Sequence, residues 1–189
     1  MLHRQGPRGL GRAYLDGIRY ALDTDADVIC QMDADLSHQP EQLVPMLRRL
    51  HDADLVIGSR YIRDGRIVNW PLRRRVLSAT ANAYIRSVCA LTVRDCTSGF
   101  RCWRRERLAQ LPLDRIDADG YAFLVQLLFH AVDAGCVIAE VPITFVERER
   151  GASKLRLPVL AESAIVPWKL AWSRRASSSP HRSIALQRR

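Results

Sequence analysis

Two short apolar runs, residues 27–32 and 55–58, each preceded by a stretch with helical periodicity, constrain this chain more than any other feature. Before the first, Leu15, Ile18 and Leu22 fall at helical spacing. Before the second, Leu43, Val44, Leu47 and Leu50 recur at three and four within residues 41–51. Strands that are apolar rather than alternating are buried on both faces, and helix–strand alternation puts such strands in a parallel sheet. The expected fold class is therefore α/β, with function at the carboxyl ends of the strands.

The rest of the 189 residues extends the pattern. A long helix is predicted over 71–91 and another over 121–134; strands are predicted at 136–140 and 143–147, separated by Pro142. Residues 157–172 read as a helix with Pro158 at its start and a kink at Pro167. Residues 173–189, with a Ser-Ser-Ser-Pro run, read as a disordered tail.

Net charge is +9, but three arginines in residues 1–12 and five in 173–189 account for most of it. The body between them holds 21 basic against 20 acidic residues. Nearly neutral and without aromatics interleaved among its cations, it excludes a nucleic-acid binder. No apolar run approaches the roughly 20 residues that cross a bilayer, and the first residues lack the apolar core of a secretory signal, so a cytoplasmic protein is expected. The five cysteines show no two-residue spacing and read as reduced, buried thiols; the five histidines are too scattered for a zinc site.

Four motifs could carry chemistry. Asp33-Ala34-Asp35 directly follows the first strand and so occupies its carboxyl end. Two carboxylates two residues apart in extended chain share a face, where they could hold a hard divalent cation and its diphosphate, or simply form an Asp-rich turn capping the helix at 41. A calcium loop is excluded because Val28 or His38 would fall where glycine is required. Gly58-Ser59-Arg60-Tyr61 follows the second strand and brings Arg60 to the same edge, as a bidentate phosphate clamp or as a solvated surface charge. Arg73, Arg74 and Arg75 head the next helix beside Trp70, where cations oppose the helix dipole unless an anion answers them; Ser78 shares Arg74's face. Gly151-Ala152-Ser153-Lys154, preceded by Arg148 and Arg150, reads as an anion-binding loop. Trp168 and Trp172 among Lys169, Arg174 and Arg175 suit a membrane interface or a packing helix.

Taken in order, Gly9-Leu10-Gly11 with Ala13-Tyr14, Met32 to His38, Gly58 to Tyr61, Asn69-Trp70-Pro71, Ser98-Gly99-Phe100-Arg101, Gly120-Tyr121 and Glu140 to Lys154 resemble the polyprenol (dolichol) phosphate mannose synthases. These are family 2 glycosyltransferases of the Rossmann-like GT-A fold, and the resemblance is of the actinobacterial type. It runs from residue 8 to about 172. It implies transfer of mannose from GDP-mannose to polyprenyl phosphate with inversion, giving polyprenyl phosphomannose and GDP. It implies Mg2+ or Mn2+ as cofactor, and peripheral attachment to the cytoplasmic face of the membrane.

By the same resemblance, Asp35 and Arg60 are the catalytic pair. Asp33, Ala34, Asp35, Arg60, Arg148 and Lys154 bind the nucleotide sugar; Arg60, Arg74, Ser78 and Lys154 meet the acceptor phosphate; Asp35 and Ser37 ligate the metal. Residues 1–156 are then a partial GT-A catalytic domain, 157–173 an amphipathic C-terminal helix, and 174–189 a disordered basic tail. Two departures stand out. The family's Phe-Gln pair and following acid after Tyr121 are replaced by Phe123, Leu124 and Gln126, and the family's opening strand and second βα unit are missing, which implies an N-terminally truncated chain. The alternative to an enzyme is a non-catalytic remnant that binds lipid phosphate or membrane only.

Overall fold

In the computed structural model of the chain, residues 9–118, 120–147 and 157–177 are described, except for the side chains of 157–162 and 176–177. The elements are α1 (Leu10–Leu22), β1 (Val28–Gln31), α2 (Leu43–Arg49), β2 (Leu55–Ser59), β3 (Arg66–Val68), α3 (Leu72–Cys89), β4 (Arg101–Arg104), α4 (Arg105–Ala109), α5 (Ala122–Asp133), β5 (Ile138–Pro142), β6 (Thr144–Val146) and α6 (Leu157–Ser177). Every predicted helix and strand is present, with ends shifted by a few residues.

The main sheet has the order β1-β4-β2-β5. β2 and β5 are parallel, as the apolar runs predict, but β4 lies antiparallel between β1 and β2, so the sheet is mixed rather than wholly parallel. β4 escapes sequence reading because it is Arg-Cys-Trp-Arg, two charges in four residues. Arg101 can be buried there because its guanidinium turns back onto its own loop, donating from Nε to the Ser98 carbonyl at 3.0 Å and from Nη2 to the Cys96 carbonyl at 3.1 Å.

Helices cover both faces of the sheet. On one, Leu15, Ile18, Ile29, Leu55, Trp103 and Phe123 belong to the larger core formed with α1, α5 and α6. On the other, α2 brings Met46 against Val56, Phe100, Cys102 and Val141. The buried Trp103 indole N–H donates to Gln31 Oε1 at 3.2 Å, which satisfies the one polar atom of the largest core side chain. A small second sheet pairs β3 with β6 in parallel and leans on the first strand's loop, the Val146 amide donating to the Ser37 carbonyl at 3.1 Å.

The expected boundary of a tail at 173 or 174 is corrected: α6 runs to Ser177, because Arg174 is pinned to the core. Its Nε donates to Asp133 at 2.7 Å and its Nη1 to the Cys89 carbonyl at 2.8 Å, with the guanidinium 4.1 Å from the centre of the Phe129 ring. Residues 178–189 lie outside the described residues. The cysteines are all free, but Cys30 is exposed and Cys136 half-buried, so only Cys89, Cys96 and Cys102 fit the expected burial.

Candidate active site

β1, β2 and β5 run the same way, so their carboxyl ends share one edge with the amino end of the reversed β4. Asp33 and Asp35 leave β1 there, Arg60 leaves β2, and Ser98-Gly99-Phe100 enters β4. They surround a cavity of about 350 Å3 whose lining includes Asp33, Asp35, Arg60, Arg74 and Ser78. Five of the residues singled out from sequence therefore meet in one place. Ala34 is exposed, Ser37 is buried behind the lining, and Arg148 and Lys154 lie outside the described residues.

The carboxylates are oriented by neighbours far off in sequence. The Tyr14 hydroxyl donates to Asp33 Oδ1 at 2.9 Å while its ring stacks on Phe123. Burial, reinforced by the Asp33 charge, raises the Tyr14 pKa well above that of an ordinary phenol. The Asp33 backbone N–H donates to His38 Nδ1 at 3.1 Å. His38 is buried against Phe100 and Phe145, and burial lowers its pKa, favouring the neutral ring that can accept this bond. Gly99 leaves room for Asp33: a Cβ there would stand 3.3 Å from Asp33 Oδ1. Asp35 Oδ1 accepts both the Ser37 hydroxyl at 2.5 Å and the Ser37 amide at 3.1 Å, and Leu36 takes a left-handed φ of 63° to close this turn. Here Ser37 orients the carboxylate it was expected to join as a metal ligand.

Arg60 differs from its expectation as a clamp open to phosphate. Its fork is filled by Asp95, with Nε to Oδ2 and Nη2 to Oδ1 both at 2.7 Å, its backbone amide 3.0 Å from Oδ2, and Nη2 also 2.9 Å from Thr97 Oγ1. Both side chains are nearly dry, at 8% and 0% exposure. Burial is the largest influence and disfavours the cation, but the charge and hydrogen bonds of Asp95 outweigh it and raise the Arg60 pKa. The loop carrying Asp95 is itself held, since Glu140 of β5 accepts the amides of Arg94 and Asp95 at 2.8 and 3.0 Å, and Asn82 of α3 accepts that of Cys96 at 2.8 Å.

Arg74 has an answering anion as well: Nη1 lies 2.5 Å from Glu147 Oε1 and 2.6 Å from Oε2, and the guanidinium sits 4.0 Å from the centre of the Trp70 ring. The carboxylate of Glu147 thus meets the requirement that a cation at this helix start be neutralised. Gln126 does not face the cavity; it bonds the Ala118 amide and Asp117, while Tyr121 and Leu124 beside it line the wall.

Asp33 and Asp35 fit a hard divalent ion of the magnesium or manganese type, which needs only one or two carboxylates when phosphates and waters complete its shell. Among the described residues no three His, Cys, Asp or Glu groups are placed to hold one metal ion together, so an all-protein cage of the zinc or calcium kind does not fit them.

A mixed sheet with paired carboxylates and arginines at its carboxyl edge is the arrangement of a GT-A glycosyltransferase, and this chain belongs to glycosyl transferase family 2, whose profile matches residues 1–111. It is 44% identical over 173 residues to the undecaprenyl-phosphate mannosyltransferase of Micrococcus luteus, covering 90% of this chain and 71% of that protein. It is 46% identical over 156 residues to the polyprenol monophosphomannose synthase of Mycolicibacterium smegmatis, covering 82% and 59%. These relatives bear out the resemblance carried by the motifs. Among solved structures, glucosyl-3-phosphoglycerate synthase from Mycobacterium tuberculosis with Mn2+, UDP-glucose and phosphoglyceric acid superposes with a TM-score of 0.61 at 20% identity, over 88% of this chain and 56% of that one. The same enzyme with phosphoglyceric acid gives 0.60 at 20% identity, over 89% and 57%. These two establish the fold.

Removing Asp95 strands a buried cation, so Asp95→Ala should cost about 3–5 kcal/mol in urea denaturation. The double variant Arg60→Met/Asp95→Ala should be at least as stable as the single one. A loss under about 1 kcal/mol for Asp95→Ala would show that the pair does not hold the loop.

Proposed function

We propose that the chain carries the catalytic part of a mannosyltransferase that moves mannose from GDP-mannose to polyprenyl phosphate with inversion. The observation that supports this best is the mixed lining of the cavity. Asp33, Asp35, Arg60 and Arg74 line it together with Leu10, Leu77, Ala81, Tyr84, Ile85 and Leu124. A charged diphosphate and sugar suit the first group, and the first isoprene units behind a lipid phosphate suit the second. The names of the two mannosyltransferase relatives point to the same substrates.

Asp35, with Asp33 beside it, would hold Mg2+ or Mn2+, which when bound supplies Lewis acidity for the departing diphosphate. Ser37 would keep the Asp35 carboxylate aimed, and Tyr14 would do the same for Asp33. An oxygen of the lipid phosphate forms a bond to the anomeric carbon from the face opposite the diphosphate, as the bond to GDP breaks. With a second pKa of about 6, that phosphate is already anionic at neutral pH, so it needs positioning more than a general base. Arg60, fixed by Asp95, contributes a preorganised charge. Arg74, seated between Trp70 and Glu147, would receive the incoming phosphate in competition with Glu147, and Ser78 one turn on offers a hydroxyl. Arg148 and Lys154, by the family resemblance, complete the diphosphate and acceptor contacts.

The proposal places the protein on the cytoplasmic face of the membrane as a peripheral partner. No helix among the described residues is long and apolar enough to cross a bilayer. The outer face of α6 is aromatic, with Trp168 at 60% and Trp172 at 77% exposure beside Ile165, Lys169 and Arg175, while Leu72 and Val76 flank the exposed Arg73 and Arg75 on α3. Trp70 and Arg74 are occupied inside the site, and Arg174 on the core, so they are not membrane contacts.

Mannosyl transfer from GDP-mannose to a polyprenyl phosphate should require Mg2+ or Mn2+ and stop with a chelator. Asp35→Ala should lower it by a factor on the order of 100 or more; Arg60→Ala should also be severe, and Arg60→Lys in its place should restore little because an ammonium cannot match the bidentate pairing with Asp95. Near-normal transfer by Asp35→Ala would remove the assignment. Co-sedimentation with anionic liposomes should weaken as salt rises and fall when Trp168 and Trp172 are changed to Ser. Unchanged binding by that variant would make α6 a packing helix only.

A further inference from the structure

Cys30 and Cys102 face each other across β1 and β4, in register as direct partners with their sulfurs 3.0 Å apart. The type of pairing follows from the ladder. The Arg105 amide donates to the Asp27 carbonyl across the same two strands, whereas the Arg104 amide turns away to Asp54. Residues 27 and 105 are thus a hydrogen-bonded pair, 28 and 104 are not, and two steps on 30 and 102 are again a non-hydrogen-bonded pair. In that pairing α-carbons stand about 4.5 Å apart, inside the range a disulfide spans, and side chains lie closest.

Access divides the two roles. Cys30 is exposed and Cys102 is fully buried directly behind it. We propose that Cys30 and Cys102 are a peroxide-responsive dithiol pair whose oxidation staples β1 to β4 beside the Asp33–Asp35 turn. The Cys30 thiolate attacks one oxygen of hydrogen peroxide; the O–O bond breaks, one water leaves after protonation, and Cys30 becomes a sulfenic acid. The Cys102 sulfur then attacks the Cys30 sulfur, the S–O bond breaks, and a second water leaves as the S–S bond forms. Two electrons pass from the dithiol to the peroxide, and the two thiol protons end in water.

The chemistry around the sulfurs agrees. The hydrogen bond shared with Cys102 holds the Cys30 thiol below its ordinary pKa, while the same bond and burial push Cys102 up. Burial raises the remaining thiols, Cys89 to about 11, Cys96 to about 12 and Cys136 likewise upward, which leaves Cys30 as the one prepared to react among the described cysteines. The staple would fix the strand that delivers Asp33 and Asp35 against the strand that follows Gly99, on which Asp33 rests. A cross-strand bridge with one exposed partner belongs to the more easily reduced class, so the link is reversible.

The test uses the full chain, reduced, then treated with hydrogen peroxide and alkylated under denaturing conditions. Two of the five thiols should disappear, a peptide linking Cys30 to Cys102 should appear, and dithiothreitol should restore both. Cys102→Ser should leave Cys30 as a sulfenic acid trapped by dimedone, and Cys30→Ser, at an exposed position that does not threaten folding, should retain Cys102 unmodified. Oxidation of Cys30 to sulfinic acid with no linked peptide, a link to a different cysteine, or retention of all five thiols would each overturn the proposal.

Discussion

Asp95 accepts three hydrogen bonds from Arg60, one from its amide and two from its guanidinium, in a place that water scarcely reaches. A buried ion pair is weak evidence for stability, because its Coulomb attraction first has to offset the desolvation of both groups. Its effect here is positional. The pair ties the end of β2 to the loop before β4, and that loop is fastened in turn to β5 through Glu140 and to α3 through Asn82. Four elements distant in sequence are thereby held around one cavity, whose lining Arg60 shares with Asp33 and Asp35.

The same logic governs the other polar groups of the site. Each carries an answering neighbour: Tyr14 for Asp33, Ser37 for Asp35, Glu147 for Arg74. Such pairings keep charged side chains oriented at little reorganisation cost when a charged ligand arrives, which is the condition for electrostatic stabilisation of a departing diphosphate. Under the proposed function they also define a competition, since an incoming lipid phosphate would have to share Arg74 with Glu147. Apolar residues of α1, α3 and α5 line the same cavity as these polar groups, a combination that suits the proposed substrate with its phosphate head and hydrocarbon tail.

Much of this was legible in the sequence because strand ends announce themselves. Asp33, Asp35 and Arg60 follow short apolar runs immediately, and a parallel α/β arrangement sends such residues to a common edge; helical spacing put Ser78 on the face of Arg74, and the family resemblance singled out Arg74 from its two neighbours. What stayed hidden were pairings between distant residues. Nothing near Arg60 marks Asp95, 35 positions away, as the carboxylate that fills its fork. β4 was concealed by its two arginines, and with it the register that brings Cys30 to Cys102. Arg174 read as part of a solvated tail because its partners, Asp133 and Phe129, belong to another helix.

The central claim is that Asp33 and Asp35 hold a divalent ion together with the diphosphate of a nucleotide donor. Water-proton relaxation or electron paramagnetic resonance of Mn2+, titrated with and without GDP, reads this directly. The account predicts weak Mn2+ binding alone, at least tenfold tighter binding with GDP, and loss of that enhancement in Asp35→Asn, since one or two carboxylates and a diphosphate together complete the shell. Mn2+ affinity indifferent to GDP, or unchanged in Asp35→Asn, would contradict it.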